Sequence, residues 1–326
     1  MSVRSISFIL GAFVAFAALV LPARAQDYPN RQIRIIVPYT AGGSSDFVAR
    51  TVASKLQENL KQTVVVENRP GGNAHIGTEY VAKAPADGYT LLLAGMATHA
   101  AAPALFKKLT YDPIKDFAAI TNCIDSPLAV VIHPSVPANN LKELVAYAKA
   151  NPGKLNYGSA GVGNTLHLAG EVFRMATATD ITHIPYKGAS QALGDLLGGR
   201  IQIMFDLPQT PLPNIQAGRL KALAVTGTER LALMPGVPTT AEAGVPAFRF
   251  GTWIGLVAPA GTPAAIVSRL HTEIVRVLKQ PEVKEAFAQR AMLVAPSDTP
   301  EAFTRMIQSE IERLGQVIRA AGIPPE

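Results

Sequence analysis

Pro38-Tyr39-Thr40-Ala41-Gly42-Gly43-Ser44-Ser45-Asp46 follows a β-branched run and passes straight into a helical pattern. That order of residues suits one kind of chemistry, the holding of an anion by main-chain amides. Glycine lets the backbone approach a ligand closely, and the first N–H groups of the helix beyond lack intrahelical acceptors and sit at its positive dipole end. Ser44, Ser45 or Asp46 is expected to cap that helix. Gly158-Ser159-Ala160-Gly161-Val162-Gly163-Asn164-Thr165 repeats the arrangement later in the chain. Arg69-Pro70-Gly71-Gly72-Asn73-Ala74-His75-Ile76-Gly77 is a third such loop, and Met96-Ala97-Thr98-His99 is read as a fourth. One glycine turn is explained by a tight strand-to-helix connection; four at strand ends point to a ligand.

Other chemistries fit these residues less well. A phosphate-binding loop needs Lys after its last glycine, where Asn164 stands, and no Gly-x-Gly-x-x-Gly marks a dinucleotide site. A serine hydrolase built on Ser159 and His167 is the enzymatic rival, but Tyr157-Gly158-Ser159-Ala160-Gly161 departs from the nucleophile elbow Gly-x-Ser-x-Gly. His167 reads instead as a residue that fixes its own turn. His75, His99, His133, His183 and His271 show no metal-ligand spacing. Asp46 and Asp206 stand too far apart in the chain to be inferred as a catalytic pair, and Asp46 reads as orienting the helix start. Trp253 reads as a core anchor. No catalytic residue, metal or cofactor is expected.

These loops need a framework that brings them together. Ile33–Val37, Thr63–Glu67 and Thr90–Ala94 read as buried strands, and Val48, Val52, Leu56 and Leu60 recur as one helix face between the first two. Strand, helix, strand at this spacing is a βαβ unit, hence a parallel sheet with right-handed crossovers. A second series follows: strands at Leu128–Ile132, Lys154–Gly158, Thr182–Ile184, Ile201–Phe205 and Leu220–Val225. Helices over Leu141–Ala148, Asn164–Ala176 and Ala189–Leu197 separate them. Ile254–Ala258 is a last strand before a helical tail. The expected fold class is α/β, with two doubly wound lobes that bind ligands at the carboxyl ends of their strands. Asp125-Ser126-Pro127 and Pro246–Gly251 are the candidate crossings. Lobe 1 is expected at 26–125 plus 249–326, and lobe 2 at 126–248.

Composition agrees with this reading. The 326 residues are 48% hydrophobic but only 6% aromatic, which suits aliphatic cores. A single cysteine, Cys123, excludes an internal disulfide. The N-terminus carries Arg4, an uncharged run from Ile6 to Leu21, Pro22 and the small-x-small sequence Ala23-Arg24-Ala25. That is a cleavable secretory signal at 1–25 and predicts a periplasmic location. The net charge of +6 falls to +4 once Arg4 and Arg24 leave with it, and the basic residues are scattered. No nucleic-acid partner is expected.

Read in order, several stretches make the chain resemble one family. They are Pro-Tyr-Thr-Ala-Gly-Gly-Ser-Ser-Asp (38–46), Glu-Asn-Arg-Pro-Gly-Gly (67–72), Ala-Asp-Gly-Tyr-Thr-Leu-Leu (86–92) and Tyr-Asp-Pro-Ile-Lys-Asp-Phe (111–117). Gly-Ser-Ala-Gly-Val-Gly-Asn-Thr-Leu-His-Leu-Ala-Gly-Glu (158–171), Pro-Tyr-Lys-Gly (185–188), Asp-Leu-Leu-Gly-Gly-Arg-Ile-Gln-Ile-Met-Phe-Asp (195–206) and Ala-Pro-Ala-Gly-Thr-Pro (258–263) continue the series. The chain resembles the Bug-type extracytoplasmic receptors, substrate-binding subunits of tripartite tricarboxylate transporters.

The resemblance implies a type II periplasmic-binding-protein fold with a hinge. It implies a small carboxylate ligand, membrane permease subunits as partners, and no enzymatic activity; a monomer is the simplest state. A sensor that docks on a signalling kinase would share the same closed form. By the resemblance, Tyr39, Thr40, Ala41, Gly43 and Asp46 face the ligand from one lobe, while Ser159, Gly163, Asn164 and Thr165 grip a carboxylate from the other. His75, Thr98, His99 and Asp206 line the cleft. Ala41-Gly42-Gly43 and Ala102-Pro103 replace the family's frequent Pro-Gly-Gly and Asn-Pro.

Overall fold

The computed structural model describes residues 28–325. The expected leader at 1–25 lies outside them. A six-stranded and a five-stranded sheet organise the chain. The first contains β1 (Ile33–Val37), β2 (Val64–Asn68), β3 (Thr90–Gly95), β4 (Phe117–Pro127), β10 (Gly251–Pro259) and β11 (Leu293–Val294). The second contains β5 (Ala129–Ile132), β6 (Leu155–Ser159), β7 (Ile181–Pro185), β8 (Ile203–Asp206) and β9 (Lys221–Val225).

The orders are β11-β4-β10-β3-β1-β2 and β7-β6-β8-β5-β9. In each sheet the first parallel strand is flanked by the second and third, then an antiparallel strand, then a fourth. Each lobe is therefore doubly wound, as expected. β1 pairs in parallel with both β2 and β3, and β6 with both β7 and β8. The chain reverses its winding direction at β1/β3 and again at β6/β8. Connections leave in opposite senses at such points and open a crevice beyond the strand ends.

The helices follow from their apolar spacing. α1 (Ser44–Leu60) buries Val48, Val52 and Leu56 on one side of the first sheet, against Ile35, Leu91 and Leu256. α8 (Ala264–Leu278) adds Leu270 and Ile274 to that layer. α10 (Pro300–Ala320) covers the other side, where Phe303 and Ile307 join Ile36, Leu92 and Val257. This second layer continues into the other lobe through Phe173 on α5 (Thr165–Thr177), which meets Phe205 and Phe248 at ring-centroid distances of 5.2 Å each.

Asp125-Ser126-Pro127 forms the end of the eleven-residue β4, paired with Trp253, Thr252 and Gly251 of β10, and the chain enters the second sheet at Ala129. Cys123 lies within β4; it is fully buried, and burial pushes its thiol up to about 12. One expectation needs correction: Met96–His99 is not a glycine-type loop. Ala97–Ala101 form a π-helical turn that runs into α3 (Ala102–Leu105). Trp253 is a core residue, edge-on to Phe303 with ring centroids 5.5 Å apart.

Candidate ligand-binding site

The first glycine turn leaves β1 at the β1/β3 switch point. Gly42 has φ +88°, a left-handed conformation that glycine adopts without Cβ strain. The cap of α1 differs from the expectation: Gly43 is the N-cap residue and no side chain caps the helix. Asp46 reaches backwards instead. Its Oδ2 accepts from Gly42 N–H at 3.0 Å and Arg50 Nε at 2.9 Å, and its Oδ1 accepts from Asn68 Nδ2 at 3.0 Å. The same Asn68 amide donates to the Tyr39 carbonyl at 3.1 Å. Asp46 thus ties the turn to α1 and β2, while Thr40, Ala41 and Gly43 stay exposed.

The Arg50 hydrogen bond, with those from Gly42 and Asn68, holds the Asp46 carboxyl down at about 2, against the cost of burial. A folded-state value below the ordinary 3.8 contributes stability that is present above that pH and lost as pH falls towards 2. Arg50 is half exposed, so solvent screening reduces the full linkage value to about 1–2 kcal/mol. Asp46→Asn is expected to lower unfolding free energy by that amount at neutral pH. Denaturant titrations of both proteins should converge between pH 4 and 2; a gap independent of pH would exclude the carboxylate as its source.

The second turn leaves β6 at the β6/β8 switch point, and side chains tie it down more firmly. Asn164 caps α5, its Oδ1 accepting from Leu166 N–H at 2.9 Å and His167 N–H at 3.1 Å. Gly161 N–H donates to Ser159 Oγ at 3.1 Å, and Gly163 N–H to His167 Nδ1 at 2.9 Å. The proton of His167 therefore sits on Nε2, which faces Glu171 Oε1 at 3.8 Å. Tyr157 O–H donates to that oxygen at 2.6 Å, and Arg174 Nη1 to the other at 2.7 Å.

Sequence reasoning missed His183. Its Nε2 lies 2.7 Å from Ser159 Oγ, and its ring stacks on His167 with centroids 3.7 Å apart and an 11° interplanar angle. Burial, then the neighbouring His167, pushes His183 down to about 4, and burial likewise lowers His167. Both rings are neutral at neutral pH. Ser159 thus pairs with His183 and not with His167 as the hydrolase reading required. Ser159 is 0% exposed, and among the described residues no carboxylate bonds to His183.

The remaining expected residues lie at the same strand ends. His75 opens α2 (His75–Ala82) with its ring 4.5 Å edge-on to Phe106. Thr98 and His99 are buried in the π-helical turn, with Oγ1 and Nδ1 3.0 Å apart. Burial pushes His99 down to about 3. Asp206 ends β8 and is 2% exposed. His75 Nε2, His99 Nε2 and Asp206 Oδ2 are buried without a hydrogen-bond partner. Thr165 is the first residue of α5. Leu105 approaches from the first lobe: its Cδ2 lies 2.9 Å from where a Cβ on Gly163 would stand.

A cavity of about 310 Å³ opens elsewhere, beside the lobe crossings, lined by Asp125, Arg249, Phe250, Trp253, Glu310 and Arg313 among others. None of the expected ligand residues lines it. Among the described residues no cluster of His, Cys, Asp or Glu has the makings of a metal site.

Residues 48–323 match the family described as the tripartite tricarboxylate transporter family receptor. The chain is 37% identical to protein BugT of Bordetella pertussis over 323 residues, 99% of each. The chain belongs to this receptor family. Receptors of the family bind solutes and are not enzymes, which settles the hydrolase alternative. Among solved structures the chain is similar to Rpa4515 of R. palustris, solved with adipate: 35% identity, TM-score 0.75, covering 92% of this chain and 100% of that one. MatC of Rhodopseudomonas palustris, solved with bound malate, has 32% identity and a TM-score of 0.69, covering 89% and 100%. Among the described residues no helix is long and apolar enough to cross a membrane.

Proposed function

We propose that this receptor captures a small carboxylate between its two lobes and delivers it to the membrane subunits of a tripartite tricarboxylate transporter. The observation that carries the reading is the pair of glycine turns, each fixed by side chains, at the two switch points. Gly161, Gly163, Leu166 and His167 amides are occupied within the protein. The anion-holding role then falls to Val162 and Thr165 in lobe 2, and to Ser44 and Ser45 at the start of α1. Ser159, Asn164 and His167 act as the frame that aims them, as Asp46 does opposite. His75, Thr98, His99 and Asp206 form the wall.

An all-amide cradle is energetically sufficient. A hydrogen bond to a charged group contributes about 1.5–3 kcal/mol, so three or four give on the order of 5–10 kcal/mol before binding costs. Micromolar affinity corresponds to about 8 kcal/mol. A neutral cradle also avoids the desolvation cost of burying a guanidinium. Adipate and malate in the solved relatives support the ligand class. The signal at 1–25 supports export to the periplasm. We place lobe 1 at 26–125 plus 249–326 and lobe 2 at 126–248, the hinge running through the paired ends of β4 and β10.

Titration calorimetry of the mature protein against dicarboxylates, citrate, acidic amino acids and aromatic acids tests the binding half. At least one is expected to bind with a Kd in the micromolar range or below. Silence across the panel would overturn the reading. Uptake by cells with and without the receptor, given that ligand, tests delivery.

A further inference from the structure

We propose that Asp206 selects, among carboxylates, those that carry a hydrogen-bond donor beside the acid group, a hydroxyl or an ammonium. This rests on the carboxylate-clamp reading above. Asp206 ends β8 at the lobe 2 switch point: β8 runs parallel to β6 with Gly158 opposite Met204, and antiparallel to β5 with Ala129 opposite Asp206. The glycine turn after β6 and the Asp206 carboxyl therefore stand side by side at the crevice.

The two carboxylates of the site differ in their satisfaction. Asp46 has both oxygens bonded to protein donors, one of them a guanidinium. Asp206 has one: its Oδ1 accepts the Leu207 N–H at 2.8 Å. Its Oδ2 is buried, and among the described residues it has no hydrogen-bond donor or ion-pair partner. A buried, unpaired carboxylate oxygen is unfavourable, and native proteins seldom leave one without a purpose. Burial lifts the group to about 6, which leaves it ionised, and an acceptor, at neutral pH. A plain carboxylate ligand offers that oxygen only a second negative charge. A ligand whose carbon next to the acid bears –OH or –NH3+ offers it a proton. The amides of the β6 turn hold the acid, and Asp206 takes the substituent.

The test compares matched ligands on the mature protein by calorimetry at neutral pH: succinate, malate and aspartate as one set, adipate, 2-hydroxyadipate and 2-aminoadipate as another. In the set that fits the cleft, a donor-bearing member is expected to bind at least about tenfold more tightly than the plain acid, the worth of one hydrogen bond to a charged group. Asp206→Asn, nearly isosteric, is expected to shrink that preference to about threefold or less. Plain acids binding as tightly as their substituted partners, or an unchanged preference in Asp206→Asn, would overturn the selectivity and leave the carboxylate clamp standing. Failure of every acid in both sets, while the wider panel above still yields a ligand, would overturn the selectivity alone; silence across that panel as well would overturn the clamp and the selectivity together. The wild-type comparison holds whether or not the variant folds.

Discussion

Gly163→Val is expected to weaken carboxylate binding by about a hundredfold or more while both lobes remain folded. Gly163 has φ +75°, a conformation that a β-branched residue adopts only under strain of about 1–3 kcal/mol. Its new Cβ would stand 2.9 Å from Leu105 Cδ2, inside van der Waals contact, so closure of the first lobe onto this turn is obstructed. The amide bonded to His167 Nδ1 must also shift, and the neighbouring Val162 and Thr165 amides shift with it. A factor of a hundred is about 2.7 kcal/mol, well within the sum of these effects. Gly163→Ala keeps the backbone strain but adds only the Cβ, and should fall between. Calorimetry of both variants, with circular dichroism as the folding control, reads the result. Unchanged affinity in the valine protein would show that the second turn does not hold the ligand.

The second large effect is on stability. A Cβ on Gly170 would lie 2.1 Å from Cε2 of Tyr157, which is fully buried. That ring has little freedom: its hydroxyl donates to Glu171 at 2.6 Å, and the rings of His183 and Phe205 flank it at 5.0 and 5.9 Å. Gly170→Ala must either push α5 off β6 or displace the tyrosine and its hydrogen bond. Overpacking costs about 1–3 kcal/mol, and a buried hydroxyl left without its acceptor adds about 1–2. A loss near 3 kcal/mol corresponds to a fall in Tm of about 6–12 °C for a chain of this size. Thermal unfolding measures it directly. A melting point within a degree of the wild type would mean that Tyr157 moves freely and that the network beneath the turn is loose.

The parts of the fold that declared themselves in the sequence were those with local signatures. β1 and the helix at Ala189–Leu197 were bounded to the residue; in Ile33–Val37 every residue but Arg34 is β-branched, and the run stands beside a sharp change of period. β4 had no such signature. Thr121, Asn122, Asp125 and Ser126 interrupt its apolar residues, and it is a strand because β10 and β11 pair with it on both sides. The two glycine turns were legible because only glycine meets their backbone demands. Their supports were not. Asp46 was expected near a helix start, but nothing local says that it reaches back to Gly42 in place of capping. His183 is 24 residues from Ser159, and their 2.7 Å contact follows from the register of β6 on β7, which pairs Ser159 with Pro185. The buried oxygen of Asp206 is likewise a product of three strands meeting, not of any motif.

The placement of β10 bears on the order in which the molecule can assemble. It lies between β3 and β4, in the middle of the first sheet, yet it is drawn from residues 251–259. A nascent chain that has delivered β1 to β4 still lacks the strand that joins β3 to β4, whereas β5 to β9 are complete in one uninterrupted stretch. The smaller sheet can close while the larger waits, so the amino-terminal portion keeps open strand edges until almost four-fifths of the polypeptide has been made.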